Sequence, residues 1–188
     1  MLIGLYGGSF NPIHNAHLAL GRALLDSRAV DELWFLVSPQ NPLKRDVTLL
    51  DEDARLHLAR LAVQDEPHLK VCDYEFHLPR PSYMVHTLEG LRRDYPQHEF
   101  LLVMGADNWQ RFDRWYLPEQ IMAHHTILVY PRPGTELGTL PQGVQRLDTR
   151  LIDISSTQIR HLIAAGNYDG HDLPAAVWQE IKNKHYYE

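Results

Sequence analysis

The chain has 188 residues, 44% of them apolar, which is enough for one compact domain with a full core. Its 18 Lys and Arg against 24 Asp and Glu leave a net charge of −6, which argues against a nucleic-acid surface, since that needs a basic face. One cysteine, Cys72, excludes an internal disulfide. With no apolar signal core and no run near the ~20 apolar residues of a membrane span, the expectation is a cytoplasmic protein without membrane contact.

Leu2 to Tyr6 is apolar and reads as a buried strand. Gly7-Gly8-Ser9-Phe10-Asn11-Pro12-Ile13-His14-Asn15-Ala16-His17-Leu18 follows and leads into an amphipathic stretch over 18–25 that reads as a helix. A strand-to-helix junction is where open α/β sheets place ligands, and helix-start N–H groups attract phosphate. The glycines let backbone approach a ligand, Ser9 can donate, Pro12 stiffens the turn, and Asn15 is a candidate N-cap. His14 would lie just outside the helix and His17 in its first turn, so both can face one pocket. Protonated, each offers two donors to an oxyanion, with a pKa near neutrality. Taken singly, these residues read equally as a turn, a cap and a solvated side chain. His-x-x-His as half a zinc site lacks a third ligand nearby.

Glu32–Val37 reads as a second strand, 51–63 as a helix and 69–76 as an alternating third strand. Residues 83–95 read as a helix closed by Pro96. Phe100–Met104 is a fourth strand, followed by Gly105-Ala106-Asp107, and 126–130 is a fifth. The Pro/Gly-rich stretch 131–145 reads as an exposed loop, 151–154 as a short sixth strand, and 156–165 and 175–184 as helices. This alternation predicts one α/β domain spanning 1–188: a Rossmann-like, open, mainly parallel sheet with helices on both faces. Cys72 reads as a small buried side chain, and His57, His68, His98 and His171 as surface residues.

Ile154-Ser155-Ser156-Thr157-Gln158-Ile159-Arg160 again follows a strand and opens a helix. Three hydroxyls, free amides and a guanidinium one turn in form a second oxyanion device, although a serine-rich cap with a surface arginine has the same signature. Two such devices on one sheet point to a polyphosphate between them. Neither a P-loop nor a Gly-x-Gly-x-x-Gly run is present.

With these motifs the chain resembles the nucleotidyltransferase α/β-phosphodiesterase superfamily, and within it the bacterial nicotinate-nucleotide adenylyltransferases. Supporting pieces are Ser38 to Lys44, Arg55, Pro81-Ser82-Tyr83 with Thr87-Leu88, Gly105-Ala106-Asp107, Trp115-Tyr116 and His185-Tyr186. Asn11 stands where Asp is frequent, Ala16 where Gly is usual and Met84 where Thr is frequent. The resemblance implies adenylyl transfer from ATP to nicotinate mononucleotide, with Mg²⁺ accompanying ATP. It assigns His14 and His17 to catalysis, and Gly8, Ser9, Phe10, Lys44, Gly105, Asp107, Ile154, Ser155, Thr157 and Arg160 to ATP. Ser82, Tyr83, Met84, Thr87, Trp115 and Tyr116 go to the mononucleotide. Phosphopantetheine adenylyltransferase, a nicotinamide-accepting or dual-specificity enzyme and a non-catalytic nucleotide-binding domain remain alternatives. The sequence leaves a homo-oligomer open.

Overall fold

The computed structural model describes residues 1–39, 49–148 and 154–188. Six strands form one all-parallel sheet: β1 (Leu2–Gly8), β2 (Glu32–Val37), β3 (Leu69–Cys72), β4 (Glu99–Gly105), β5 (Ile127–Tyr130) and β6 (Val144–Arg146), in the order β3-β2-β1-β4-β5-β6. β1 is therefore central, and the chain winds outward from it in both directions. The carboxyl ends of β1 and β4 meet at the point where the winding reverses, which is where such sheets hold ligands.

The strands are apolar on both sides because both faces are covered. Tyr6, Phe35, Val37, Leu101, Val103 and Leu128 look to one face. There they meet Leu20 and Leu24 of α1 (Asn15–Asp26), Leu58 of α2 (Glu52–Val63), Ile159 of α6 (Ser156–Ala164) and Val177 of α7 (Ala175–Lys184). Ile3, Leu5, Leu36, Leu102, Met104 and Val129 look to the other. Their partners are Val85, Leu88 and Leu91 of α3 (Met84–Asp94) and Ile121 of α5 (Pro118–His124), with the short α4 (Ala106–Trp109) on β4's end. Alternate residues of each strand thus feed two separate cores.

The expected order of elements holds, with corrections. The third strand stops at Cys72 and passes into a 3₁₀ turn, Tyr74–His77, which turns Glu75 inward. β6 begins inside the stretch read as an exposed loop, at Val144. Only Val144 of its three residues is buried, so it carries no alternation to detect. Of the expected strand 151–154 only Ile154 lies within the described residues, and it is not in a strand. His14, not Asn15, is the N-cap of α1. His98 is half-buried among Trp34, Tyr95 and Phe100 rather than on the surface.

Candidate active site

The glycine-rich loop after β1 is held from three directions. Arg55 of α2 is 1% exposed and has no carboxylate partner among the described residues. Instead its guanidinium donates to the carbonyls of Ser9 (2.6 Å), Ser38 (2.8 Å), Pro39 (2.7 Å) and Leu50 (2.9 Å). It thereby ties the loop after β1 to the loop after β2 and to the approach to α2; burial pushes its pKa down. From the second direction, Ser156 donates to the Pro12 carbonyl (3.0 Å) and Arg160 to the Asn11 carbonyl (2.8 Å). From the third, the Tyr187 hydroxyl donates to Asn11 Oδ1 (2.9 Å), which also accepts from the Leu50 N–H (3.2 Å).

The two oxyanion devices expected from sequence are therefore joined. Arg160 also reaches Thr157 Oγ1 (3.3 Å), and Ser155, the N-cap of α6, makes no side-chain capping bond among the described residues. Ile154 is half-buried beside the core. Phe10 is buried with φ +45°, a strained setting for a non-glycine residue, and its ring lies against Gly8. A Cβ on Gly8 would sit 2.9 Å from that ring, so glycine is needed there for packing as well as for approach to a ligand. Lys44 lies outside the described residues.

His14 and His17 share the start of α1. Their rings stack with centroids 3.7 Å apart, and Phe10 and Tyr6 pack edge-on or tilted against His17. Neither is a ready cation. Burial, reinforced by the positive charge of Arg132, holds His14 down at about 3. Burial, His14 and Arg132 push His17 well below its usual range. The expected near-neutral pKa is thus corrected: without a ligand both imidazoles are neutral at pH 7.

Arg132, just past β5, is one of the residues that sequence reading missed. It sits between two prolines in a stretch read as loop, so no periodicity or motif marked it. Its Nη2 donates to the Tyr130 hydroxyl (3.2 Å), which bonds the Tyr6 hydroxyl (2.8 Å), and its Nε lies 3.7 Å from Asp107 Oδ1. Three buried polar atoms here have no hydrogen-bond partner among the described residues: His14 Nδ1, Asp107 Oδ1 and Arg132 Nε. Orphaned buried polar atoms gathered at one site mark a place for a polar ligand. A Cβ on Gly105 would fall 2.5 Å from Asp107 Oδ1 and 3.2 Å from Arg132 Nε, so the bare glycine lets this pair converge.

Beside this lies a cavity whose lining includes Gly7, Gly8, Leu36, Ser38, Tyr83, Met84, Arg114, Trp115 and Tyr116. Tyr83 caps α3 with no side-chain bond, and the N–H groups of Met84 and Tyr116 make no hydrogen bond among the described residues. Tyr83 and Tyr116 face each other at 4.7 Å. Ser82 and Thr87 do not offer free hydroxyls. Both donate to Glu75 at 3.0 Å, and Thr87 is 0% exposed, behind the wall and not on it.

An open parallel sheet whose switch point carries paired histidines, a clasped glycine loop and an aromatic pocket defines a nucleotide-handling α/β protein. Residues 5–162 match the model of the cytidylyltransferase-like family. A Bacteroides fragilis protein named "Probable nicotinate-nucleotide adenylyltransferase" is 46% identical over 95% of this chain and 90% of its own length. A Flavobacterium johnsoniae protein of the same name is 42% identical over the whole of both chains. The solved structure of Plasmodium falciparum nicotinic acid mononucleotide adenylyltransferase complexed with NaAD superposes with a TM-score of 0.79. It is 16% identical and covers 99% of this chain and 97% of that one, a likeness of fold. The chain belongs to the cytidylyltransferase-like family and, within it, to the nicotinate-nucleotide adenylyltransferases.

Proposed function

We propose that the chain transfers the adenylyl group of ATP to nicotinate mononucleotide, giving deamido-NAD and pyrophosphate, in NAD biosynthesis. The observation that carries this is the adjacency of two sites. A loop clasped by Arg160, which we read as phosphate-binding, adjoins at Gly7 and Gly8 an aromatic pocket whose Met84 and Tyr116 N–H groups make no hydrogen bond among the described residues.

A mononucleotide phosphate is already ionised at neutral pH, so it attacks the α-phosphorus of ATP directly and needs no covalent intermediate. Catalysis is then positioning and charge stabilisation. His14 and His17 hold the α-phosphate as neutral donors, and their low pKa values rise as the anion arrives. Arg132 and Arg160 supply the permanent positive charge. Asp107 faces the adenosine ribose, with Gly105 leaving it room. Trp115 stacks on the pyridine ring.

The divalent ion, proposed to be Mg²⁺, travels with ATP. It is held through the phosphates and water and not by a protein cage.

Pyrophosphate release from ATP, assayed side by side with nicotinate mononucleotide, nicotinamide mononucleotide and phosphopantetheine, tests this reading. Release with the nicotinate form supports it, and release with phosphopantetheine alone, or with none, overturns it.

A further inference from the structure

The aromatic pocket also has a buried carboxyl side chain in its lining. Glu75 is 3% exposed yet lines the same cavity as Tyr83, Trp115 and Tyr116. Its Oε2 accepts from the Ser82 hydroxyl and its Oε1 from the Thr87 hydroxyl, both at 3.0 Å. Both partners are neutral, and no cationic side chain among the described residues lies within 4 Å of the carboxylate. Arg114 lines the same cavity but is exposed to solvent. A buried carboxylate without a counter-ion is costly unless something completes it. Aromatic faces beside a carboxylate are the chemistry that recognises a quaternary nitrogen.

We propose that Glu75 is the counter-ion for the pyridinium ring of the mononucleotide, and that it makes the pocket selective for the cationic ring over a neutral ring of the same outline. This rests on the adenylyl-transfer reading above. The ring nitrogen of a ribosylated pyridine is quaternary, so its charge cannot be lost to solvent as a proton. The charge spreads over the ring, within reach of both the aromatic faces and the carboxylate. Ser82 and Thr87 then serve the substrate indirectly, by fixing both oxygens of Glu75.

The test compares kcat/KM of the wild type and of Glu75→Gln for two substrates. One is nicotinate mononucleotide and the other its 1,4-dihydro form, which keeps the carboxylate, ribose and phosphate but has a neutral ring. Glutamine keeps the size of Glu75 and can still accept from one hydroxyl and donate to the other. The wild type should favour the cationic ring at least ~10-fold, and Glu75→Gln should bring that ratio within about threefold while leaving the KM for ATP unchanged. An equal loss for both substrates, with the ratio preserved, would make Glu75 a structural pin and overturn the proposal. Should the variant fail to fold, the wild-type ratio decides alone, and a value below about threefold overturns the proposal. Absence of any wild-type turnover with nicotinate mononucleotide would instead sink the substrate assignment.

Discussion

The backbone N–H of His14 donates to Nδ1 of His17 at 3.1 Å while the two imidazoles stack with centroids 3.7 Å apart. With Nδ1 accepting, the neutral His17 ring must carry its proton on Nε2. The helix start therefore fixes not only where His17 sits but which of its nitrogens donates. A donor set this way strengthens its bond as charge grows on the phosphate, so it acts more in the transition state than on bound ATP. His17→Ala should lower turnover ~10²-fold or more, with a smaller change in the KM for ATP. Steady-state pyrophosphate release measures both, and near wild-type turnover would remove His17 from the mechanism.

The same burial gives the ligand-free protein an acid weakness. Above pH 6.5, His14 is neutral whether the chain is folded or not, and it contributes no pH dependence. Below 6.5 the unfolded chain takes up a proton that the folded site, held at about 3, refuses. Each further unit of acid then destabilises the fold by about 1.4 kcal/mol, reaching about 2 kcal/mol near pH 5 for His14. His17, shifted the same way, adds to this. Unfolding in denaturant at pH 7.5 and at pH 5 should show the loss, and His14→Asn should lose less. Equal losses in both proteins would mean that His14 titrates normally.

Arg132 acts on both histidines and on Asp107. Its charge depresses both imidazoles, and its unpaired Nε is turned toward Asp107. Replacement by Met keeps much of the side chain's length and removes the charge. Arg132→Met should raise the KM for ATP ~10-fold and move the His14 pKa upward. Kinetics together with a histidine titration followed by NMR would check both at once. A variant with wild-type KM and an unmoved His14 would show that the arginine only props up Tyr130.

How much of this was legible in the sequence follows from where each signal is stored. The motif at 7–18 gave the loop, the histidines and the helix start because its chemistry is local. The sheet was legible for a similar reason, since strands buried on both faces are continuous apolar runs. Arg55, Arg132 and Tyr187 were not read as site residues, because what places them at the site is distant in sequence: Arg55 reaches the carbonyls of Pro39, Ser38 and Ser9 16, 17 and 46 positions away, Arg132 approaches Asp107, and Tyr187 bonds Asn11 176 positions away. The protonation state of the histidines was misjudged for a physical reason too. A pKa near neutrality belongs to a solvated imidazole, and burial is a property of the fold. Ser82 lines the aromatic cavity and Thr87 lies behind it, and the hydroxyls of both donate to Glu75, whose inward turn breaks the expected strand.

The choice between nicotinate and nicotinamide rests on the polarity of the donors at the pocket. Met84 opens α3 with no side-chain cap, and both its N–H and that of Tyr116 make no hydrogen bond among the described residues. Helix-start amides favour an anion, and the exposed Arg114 adds charge of the same sign. A carboxylate presents two acceptors to these donors. A carboxamide presents one acceptor and one NH₂, which leaves a donor facing a donor. Mispairing of that kind costs about 1–3 kcal/mol per buried group, so the nicotinate form should be preferred ~10²-fold or more in kcat/KM. Because the donors are backbone, Met84→Thr should leave that ratio intact. If Trp115 stacks on the ring as proposed, Trp115→Ala should weaken both ligands alike, also leaving the ratio near its wild-type value. The measurement is kcat/KM for the two mononucleotides in the three proteins. Equal efficiency in the wild type would favour the dual-specificity enzyme, and a ratio that collapses in Met84→Thr would place the discrimination in a side chain and not in the helix start.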